Sequence, residues 1–538
     1  MGLTEKTAAA IKDVFDHWKN VGVRISIEDT PLSLHATHSS ALLKVFTQEM
    51  ISYSNGSQVT DKQDSFENAS LLLSACVGKD IRGSGISAAK VNEIPCVPEI
   101  LRLSVDRYMD IVVKTAAINY LSGVGESIAD TRPKNLHPNG TNIRSVYPEN
   151  GDLSETSVFD FENDVLDQVR RICELPGLRE VASEVTSERG QSLFVDTSGS
   201  EVLQRSDLQT LTFNLIGYDK GNRDLSIAKR LYFAGKETYE LRKLEKEVGK
   251  LMSDFESRKN AVCMKSGAYP VLMQGSAVGT FIHETLAAHL LSGKHVTEGD
   301  SNIYSTSRLG ELILPEFLSI IDDPTIKGGL GSYKYDEESV KAERIVLVEN
   351  GVLNNYLLDR ISAARLSKLS GEDIHSNGRS RSQNICFNLN GGLKPEPRVT
   401  NLIVDSSDLL DEKVLEEQLV RKVRDTPNLD YGLIISGVGG EVYVESGQFM
   451  LFPEIIWRVD SKGNRERVKD LALSGSADIL SHQVLATGMP YKHSYGLCGS
   501  SSGDVTTQNR APSFLIGGMY AIPGKEDTSA PPLMERMR

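Results

Sequence analysis

The sequence contains no apolar run approaching the roughly 18 residues that a membrane-spanning helix requires, so no transmembrane segment is expected. It has only six cysteines in 538 residues and no C-x-x-C pair, which excludes a disulfide framework and a structural zinc knuckle. It also lacks an excess of basic charge. Against 73 Asp and Glu there are 59 Lys and Arg, leaving a net charge of −14, which argues against general affinity for the phosphate backbone of nucleic acid. The first residues, MGLTEKTAAAIKDVFDHW, carry an early glutamate and an amphipathic rhythm in place of the apolar core of a signal peptide. No internal repeat is visible, and only the tail after Pro523 has the composition of a loose end. These absences point to a protein of a reducing, cytoplasmic compartment, with no nucleic-acid or membrane partner.

What is present is enough chain for at least two cores. A division near residue 260 separates an expected domain 1–256 from 257–538. In the first, PEILRLSVDRYMDIVVKTAAINYL from Pro98 to Leu121 has helical spacing, as do Val165–Cys173 and the stripe Leu241, Leu244, Val248, Leu251, Met252 and Phe255 between Lys236 and Phe255. Asp130–Thr156, rich in Pro, Asn, Gly and Ser, reads as an exposed connection. Leu211, Phe213 and Leu215 alternate with Thr210, Thr212 and Asn214, the period of a half-buried antiparallel strand. In the second half, turns at KGGLGS, Glu349–Gly351, Gly437–Gly440 and Ser461–Asn464 punctuate short segments such as RIVLVEN and EIIWRVD. The expected fold class is α+β: a mixed helix and strand N-terminal domain followed by a mostly antiparallel β C-terminal domain with few helices.

The chemistry concentrates in GTFIHETLAAHLLSGKHV, from Gly279 to Val296. A helical H-E-x-x-H places two imidazoles on one face to hold zinc, with the glutamate as general base. Here His283 and His289 are six residues apart. On a regular helix six residues turn about 600°, so the two rings would point about 120° apart and sit about 9 Å apart along the axis. If both bind one ion, each ring nitrogen must come within about 2.1 Å of it, so Thr285–His289 must contain a bulge or a helix end. Otherwise His283 and Glu284 are an ordinary pair on a helix face.

Taken with its surroundings, this stretch resembles the TldD/PmbA family. AYPVLMQGSAVGTFIHE is similar to the strand and turn that lead into that family's H-E-x-x-x-H helix, and DDPTIKGGLGSYKYDEESVKAERIVLVENGVLNNYLLDR to its central segment. HSNGRSRSQN, PRVTNLIV and YGLCGSSSGDVTTQNRAPSFLIGGM follow in the family's order, so the resemblance covers most of Ala268–Met519. It implies a zinc peptidase with two His ligands, one Cys ligand and an open fourth position. Carried onto this sequence, His283 and Cys498 are metal ligands and Glu284 is the general base. The family's second histidine stands five residues after the first, where this chain has Ala288. Without a gap the ligand is lost to alanine; with one inserted residue His289 takes the place, and His289-Leu290-Leu291-Ser292-Gly293 restores the run that follows it. His295 is the reserve ligand.

Further candidates rest on the same resemblance. Asp336, beside Glu337 and Glu338, is a substrate-binding candidate whose plain reading is a solvated charged turn. Arg379 and Arg381 are loop charges that could hold a peptide carboxylate. Cys76, Cys96 and Cys173 sit in apolar contexts that core packing explains, and His35 and His38 have no third ligand beside them. The N-terminal domain is expected to supply a wall or gate. Family members act in pairs, one subunit with the metal motif and one without. Two functions follow: a Zn2+-dependent peptidase of unfolded or short peptides, as a homodimer or as a heterodimer with a family paralogue, or a metal-free degenerate partner subunit. Gyrase modulation, an old name for the family, has no support in these residues.

Overall fold

The alternating residues 210–215 lie, in the computed structural model, in the second of three long antiparallel strands, Leu178–Asp196, Glu201–Tyr218 and Asp224–Phe233. The structure describes residues 5–121, 142–143, 162–233, 241–300, 308–383 and 394–524, apart from short stretches within them. The connection expected at Asp130–Thr156 lies outside these residues except for the strand Asn142–Ile143, and the tail lies outside them from residue 525. The side chains of His35, His38, Cys76 and Cys96 lie outside them too.

The three strands continue through Ala36–Ser54, Gln63–Val77 and Gly85–Asn92 into one sheet. Period-two alternation gives the sheet two different faces. One carries Val181, Val185, Leu211, Phe213, Leu215 and Ile227 and packs on helices Glu162–Cys173 and Leu241–Arg258. Leu244, Val248, Leu251 and Phe255 form the apolar stripe of the second helix, and Phe255 is fully buried. Each such side chain contributes about 1.5–3 kcal/mol on burial. The expected helix Pro98–Leu121 has those bounds, and it packs beside Glu5–Val21, where Trp18 Nε1 donates to Asp106 Oδ1 at 2.8 Å.

The other face meets the C-terminal half. Lys44, Ser192 and Gln204 lie in one cross-strand row, and Gln204 Oε1 accepts from the Tyr335 amide at 3.2 Å. Phe194 and Val202 bury Tyr335 between the two halves. Further along the interface Lys469 Nζ donates to Asp219 Oδ2 at 2.7 Å, and Arg467 Nη2 to Asp254 Oδ1 at 2.7 Å.

The C-terminal half is built on a twelve-stranded sheet, whose longest members are Gly432–Tyr443, Gln448–Val459, Val484–Cys498 and Val505–Pro523. It is mostly antiparallel, as expected, but three pairings are parallel. Helices are also more frequent than the turn-rich sequence suggested: Gly275–Ile282, Gly293–Glu298, Arg360–Ser370, Glu412–Asp425 and Ile479–Gln483 lie in this half. The parallel pairings arise where the chain returns through such a connection, because a hairpin turn can only reverse direction. The first of them, Gly267–Met273 beside Gly432–Tyr443, positions the candidate site.

Candidate metal centre

Strand Gly267–Met273 is held parallel to Gly432–Tyr443 on one side and antiparallel to Val505–Pro523 on the other, with Val271, Leu272 and Met273 fully buried. It delivers the chain to helix Gly275–Ile282. Gly275 and Gly279 lie one turn apart on the face turned to the strand Val505–Pro523, and His283 follows one turn later. A Cβ at Gly275 would stand 2.3 Å from Ala511 O, and one at Gly279 would stand 2.8 Å from Asn509 Cβ. Only glycine permits so close an approach. The approach brings His283 Nδ1 to 3.2 Å from Asn509 Oδ1.

At His283 the helix widens. Residues His283–Ala287 form a π turn, closed by the Ala288 amide donating to His283 O at 3.0 Å, and Leu291 repeats the five-residue bond to Leu286 O at 3.0 Å. Thr285 is fully buried, and its Oγ1 donates back to Phe281 O at 2.6 Å. This is the interruption that the six-residue spacing requires, in the form that π turns commonly take at functional sites. A regular helix would carry His289 away from Glu284. Instead His289 Nε2 stands 3.4 Å from Glu284 Oε2, both side chains about one-fifth exposed at the mouth of the site.

Cys498, the last residue of strand Val484–Cys498, is buried and hydrogen-bonded to His283. Asn509 Nδ2 donates to Ser494 Oγ at 3.1 Å, so its oxygen faces the histidine and the Nδ1 position carries the proton. Nε2 is then the nitrogen left to face the sulfur. Burial opposes charge on both partners, yet mutual attraction wins. The Arg398 guanidinium, with His283 and His289, lowers the Cys498 thiol to about 6. Against its own burial, the Cys498 charge and hydrogen bond, with Glu284 and Asn509, raise His283 to about 9. Glu284 is lowered from the usual carboxylate range against its burial by the hydrogen bond to His289 and the charges of His283, His289 and Arg398.

Two braces hold the loop after Cys498. Arg398 Nη1 donates to Ser502 Oγ at 2.6 Å and Gly503 O at 2.8 Å, while Nη2 donates to Cys498 O. Glu396 accepts from Lys294, from Ser500 Oγ at 2.9 Å and from Ser501 Oγ at 2.7 Å.

The residues fit a zinc ion in donor chemistry: a thiolate, an imidazole whose second nitrogen is anchored by a carbonyl, and a second imidazole beside them. As they stand, His289 faces Glu284, and among the described residues no group of three His, Cys, Asp or Glu is spaced to hold a metal. His295 pairs with Asp300 at 2.9 Å. The remaining candidates lie in other networks. Arg379 is fully buried, its nitrogens donating to Asp322 Oδ2 and O, Asn377 O and Glu343 O. Arg381 Nη1 and Nη2 donate to Val399 O at 2.6 Å and Thr506 O at 2.9 Å. Asp336, read above as a solvated turn, is instead buried and accepts from the amides of Glu338, Val340 and Ser380. Two site residues escaped the sequence reading, Arg398 and Asn509. Both stand inside segments noticed there, PRVTNLIV and TTQNRAPS, but neither has a local pattern that ties it to Cys498 or His283.

Residues 266–522 match the family described as PmbA/TldA metallopeptidase C-terminal domain. A metalloprotease of Methanocaldococcus jannaschii is 30% identical over 244 residues, 44% of this chain and 47% of the relative. A protein of Saccharolobus solfataricus named as a zinc metalloprotease TldD homolog is 25% identical over 47% of this chain and 51% of its own length. The match thus spans about half the length of these curated relatives. The crystal structure of TldE from Thermococcus kodakarensis superposes with a TM-score of 0.63, covering 95% of this chain and 99% of that one at 14% identity, a likeness of fold.

Proposed function

The chain belongs to the TldD/PmbA family through its C-terminal domain, and from that premise we propose that it is a zinc-dependent peptidase of unfolded or short peptides. One observation carries the reading: the π turn puts Glu284 and His289 at the mouth of a site whose floor is the hydrogen-bonded pair His283 and Cys498. His283, Cys498 and His289 would hold the ion. Zinc supplies the Lewis acidity that polarises a scissile carbonyl and makes a neutral-pH nucleophile of water.

The protein groups do the rest. Asn509 fixes the His283 tautomer, so that Nε2 offers its lone pair once its proton is released. Arg398 favours the Cys498 thiolate. Glu284, ionised and partly open to solvent, takes the proton of the attacking water and later delivers it to the leaving amine. For His289 to act as a ligand, it must exchange Glu284 for the ion, a swap of side-chain partners at the most exposed point of the site.

The second reading, a metal-free partner subunit, draws on the six-residue spacing of His283 and His289, which without an inserted residue leaves Ala288 in the second ligand's place. Metal content separates the two. The purified chain should carry about one zinc, since a folded three-ligand site retains its metal. Glu284→Gln should keep the ion and lose about 10²- to 10⁴-fold in peptide hydrolysis, because an amide cannot accept the water's proton. A protein that takes up no zinc under any loading condition belongs to the second reading.

A further inference from the structure

Lys44 lies in strand Ala36–Ser54, on the sheet face that meets the C-terminal half. It is 5% exposed, and among the described residues its ammonium donates across the domain boundary: to Glu337 Oε1, Ser382 Oγ at 2.7 Å, Ser382 O at 3.3 Å and Gln383 O at 2.9 Å. Glu337 in turn accepts from Ser382 Oγ through Oε2 at 2.6 Å. A buried ammonium is a poor adhesive, because losing its hydration offsets most of what its partners return. An apolar side chain of similar volume would fill the place equally well. What the charge adds is direction, because several acceptors converge on one nitrogen and fix the backbone of Ser382 and Gln383.

That backbone leads directly to the site. The Gln383 amide donates to Ser502 O at 2.8 Å. Ser502 Oγ is the acceptor of Arg398 Nη1, and the other terminal nitrogen of Arg398 holds Cys498 O. The neighbouring Arg381 clamps Val399 O, next to Arg398, and Thr506 O, in the strand that follows the loop. All of these residues are buried, and no link in the chain from Lys44 to Cys498 passes through an exposed side chain. A second interdomain lysine, Lys469, ends on Asp219, whose other side-chain bonds among the described residues go to Gly221 and Arg223 of its own turn.

We propose that Lys44 of the N-terminal domain is a positioning residue for the Cys498 loop, coupling domain docking to the placement of the sulfur through Gln383, Ser502 and Arg398. Its consequence for zinc rests on the peptidase reading above; its consequence for the loop does not.

The full chain, Lys44→Met, Lys44→Arg and Lys469→Met are compared by hydrogen–deuterium exchange over residues 498–506 in metal-free protein, and by zinc titration against a chromophoric chelator. In Lys44→Met the loop should exchange about tenfold faster. Its zinc affinity should fall about tenfold to a hundredfold, the usual effect of removing an outer support of a ligand. Lys44→Arg should restore part of both, and Lys469→Met should change neither. Unchanged loop exchange in Lys44→Met, or an equal change in Lys469→Met, overturns the proposal: the first makes Lys44 a simple domain contact, the second makes any loss of docking sufficient. Wild-type protein that binds no zinc defeats the peptidase reading, while loop exchange still decides the relay. Should Lys44→Met fail to fold, Ser382→Ala, which removes one acceptor, must show the same loop-selective change in smaller size, and its absence overturns the proposal.

Discussion

At Cys498 burial and charge pull in opposite directions, and the charges win. An isolated buried thiol is a small hydrophobe with a raised pKa. Here Arg398, His283 and His289 bring it down to about 6. Because the shift is downward, the thiolate persists as pH falls and disappears only as pH drops through about 6, whereas an ordinary thiol is already protonated well above that. In metal-free protein Cys498 should therefore remain the most thiolate-like cysteine at neutral pH, seen as ultraviolet thiolate absorbance with a midpoint near 6. Arg398→Met should move that midpoint upward, and the absorbance should vanish in Cys498→Ser. A midpoint in the ordinary thiol range would mean that the sulfur does not feel these charges. Arg379 and Arg381 show the converse at the same scale: their charge is turned inward, onto Asp322 and onto backbone carbonyls, which leaves little for a substrate to use.

The helix that starts at Gly275 shows what an element needs in order to carry this chemistry. Gly275, Gly279 and His283 share one stripe, and the absence of a Cβ at the first two lets the third reach Asn509. Gly279→Ala would place a methyl group 2.8 Å from Asn509 Cβ, so helix and strand must separate. Overpacking of this kind costs about 1–3 kcal/mol. The expected outcome is a lower denaturation midpoint together with loss of the His283–Asn509 bond, read as a shifted Nδ1 resonance in nitrogen NMR spectra of the metal-free protein. An unchanged Nδ1 resonance would show that the helix can shift without moving the ring.

The same element shows what the sequence revealed and what it withheld. The clash between a six-residue spacing and a straight helix required a bulge or helix end within Thr285–His289 if both histidines are to meet one ion, because helical geometry is local and can be calculated from spacing alone. Its form as a π turn was not legible, since two alanines in a row favour an ordinary helix and the widening is held by tertiary contacts of the surrounding core. The strand Glu201–Tyr218 and the helix Pro98–Leu121 were legible for the same local reason, whereas the long strands Ala36–Ser54 and Gln63–Val77 were not read. The parallel pairings, and the partnerships of Arg398 with Cys498 and of Asn509 with His283, join residues 100 and 226 positions apart, and no local pattern encodes them.

Across the whole molecule the two sheets meet so that the N-terminal domain stands beside the loop after Cys498. Thr186, Thr210 and Thr212 are buried on the face of the N-terminal sheet that looks toward the C-terminal half. Arg230 and Tyr232, from the adjacent strand, lie within electrostatic reach of Asp504, whose carboxyl burial raises against the pull of Arg398 and Arg230. On the peptidase reading proposed above, the N-terminal domain would wall the side of the site next to Asp504, where Arg230 and Tyr232 stand. A site enclosed in this way would admit a chain only after it has unfolded, and a second subunit, identical or paralogous, would close the remaining side. Sedimentation should accordingly give a dimer, either of this chain alone or with a paralogue added. Zinc-loaded protein should cleave reduced, unfolded substrates and leave the same proteins intact when folded, with cleavage rising as denaturant or disulfide reduction opens them. Equal cleavage of folded and unfolded substrate would mean that the wall is not closed, and a fully active monomer would mean that the N-terminal domain alone provides whatever enclosure the reaction needs.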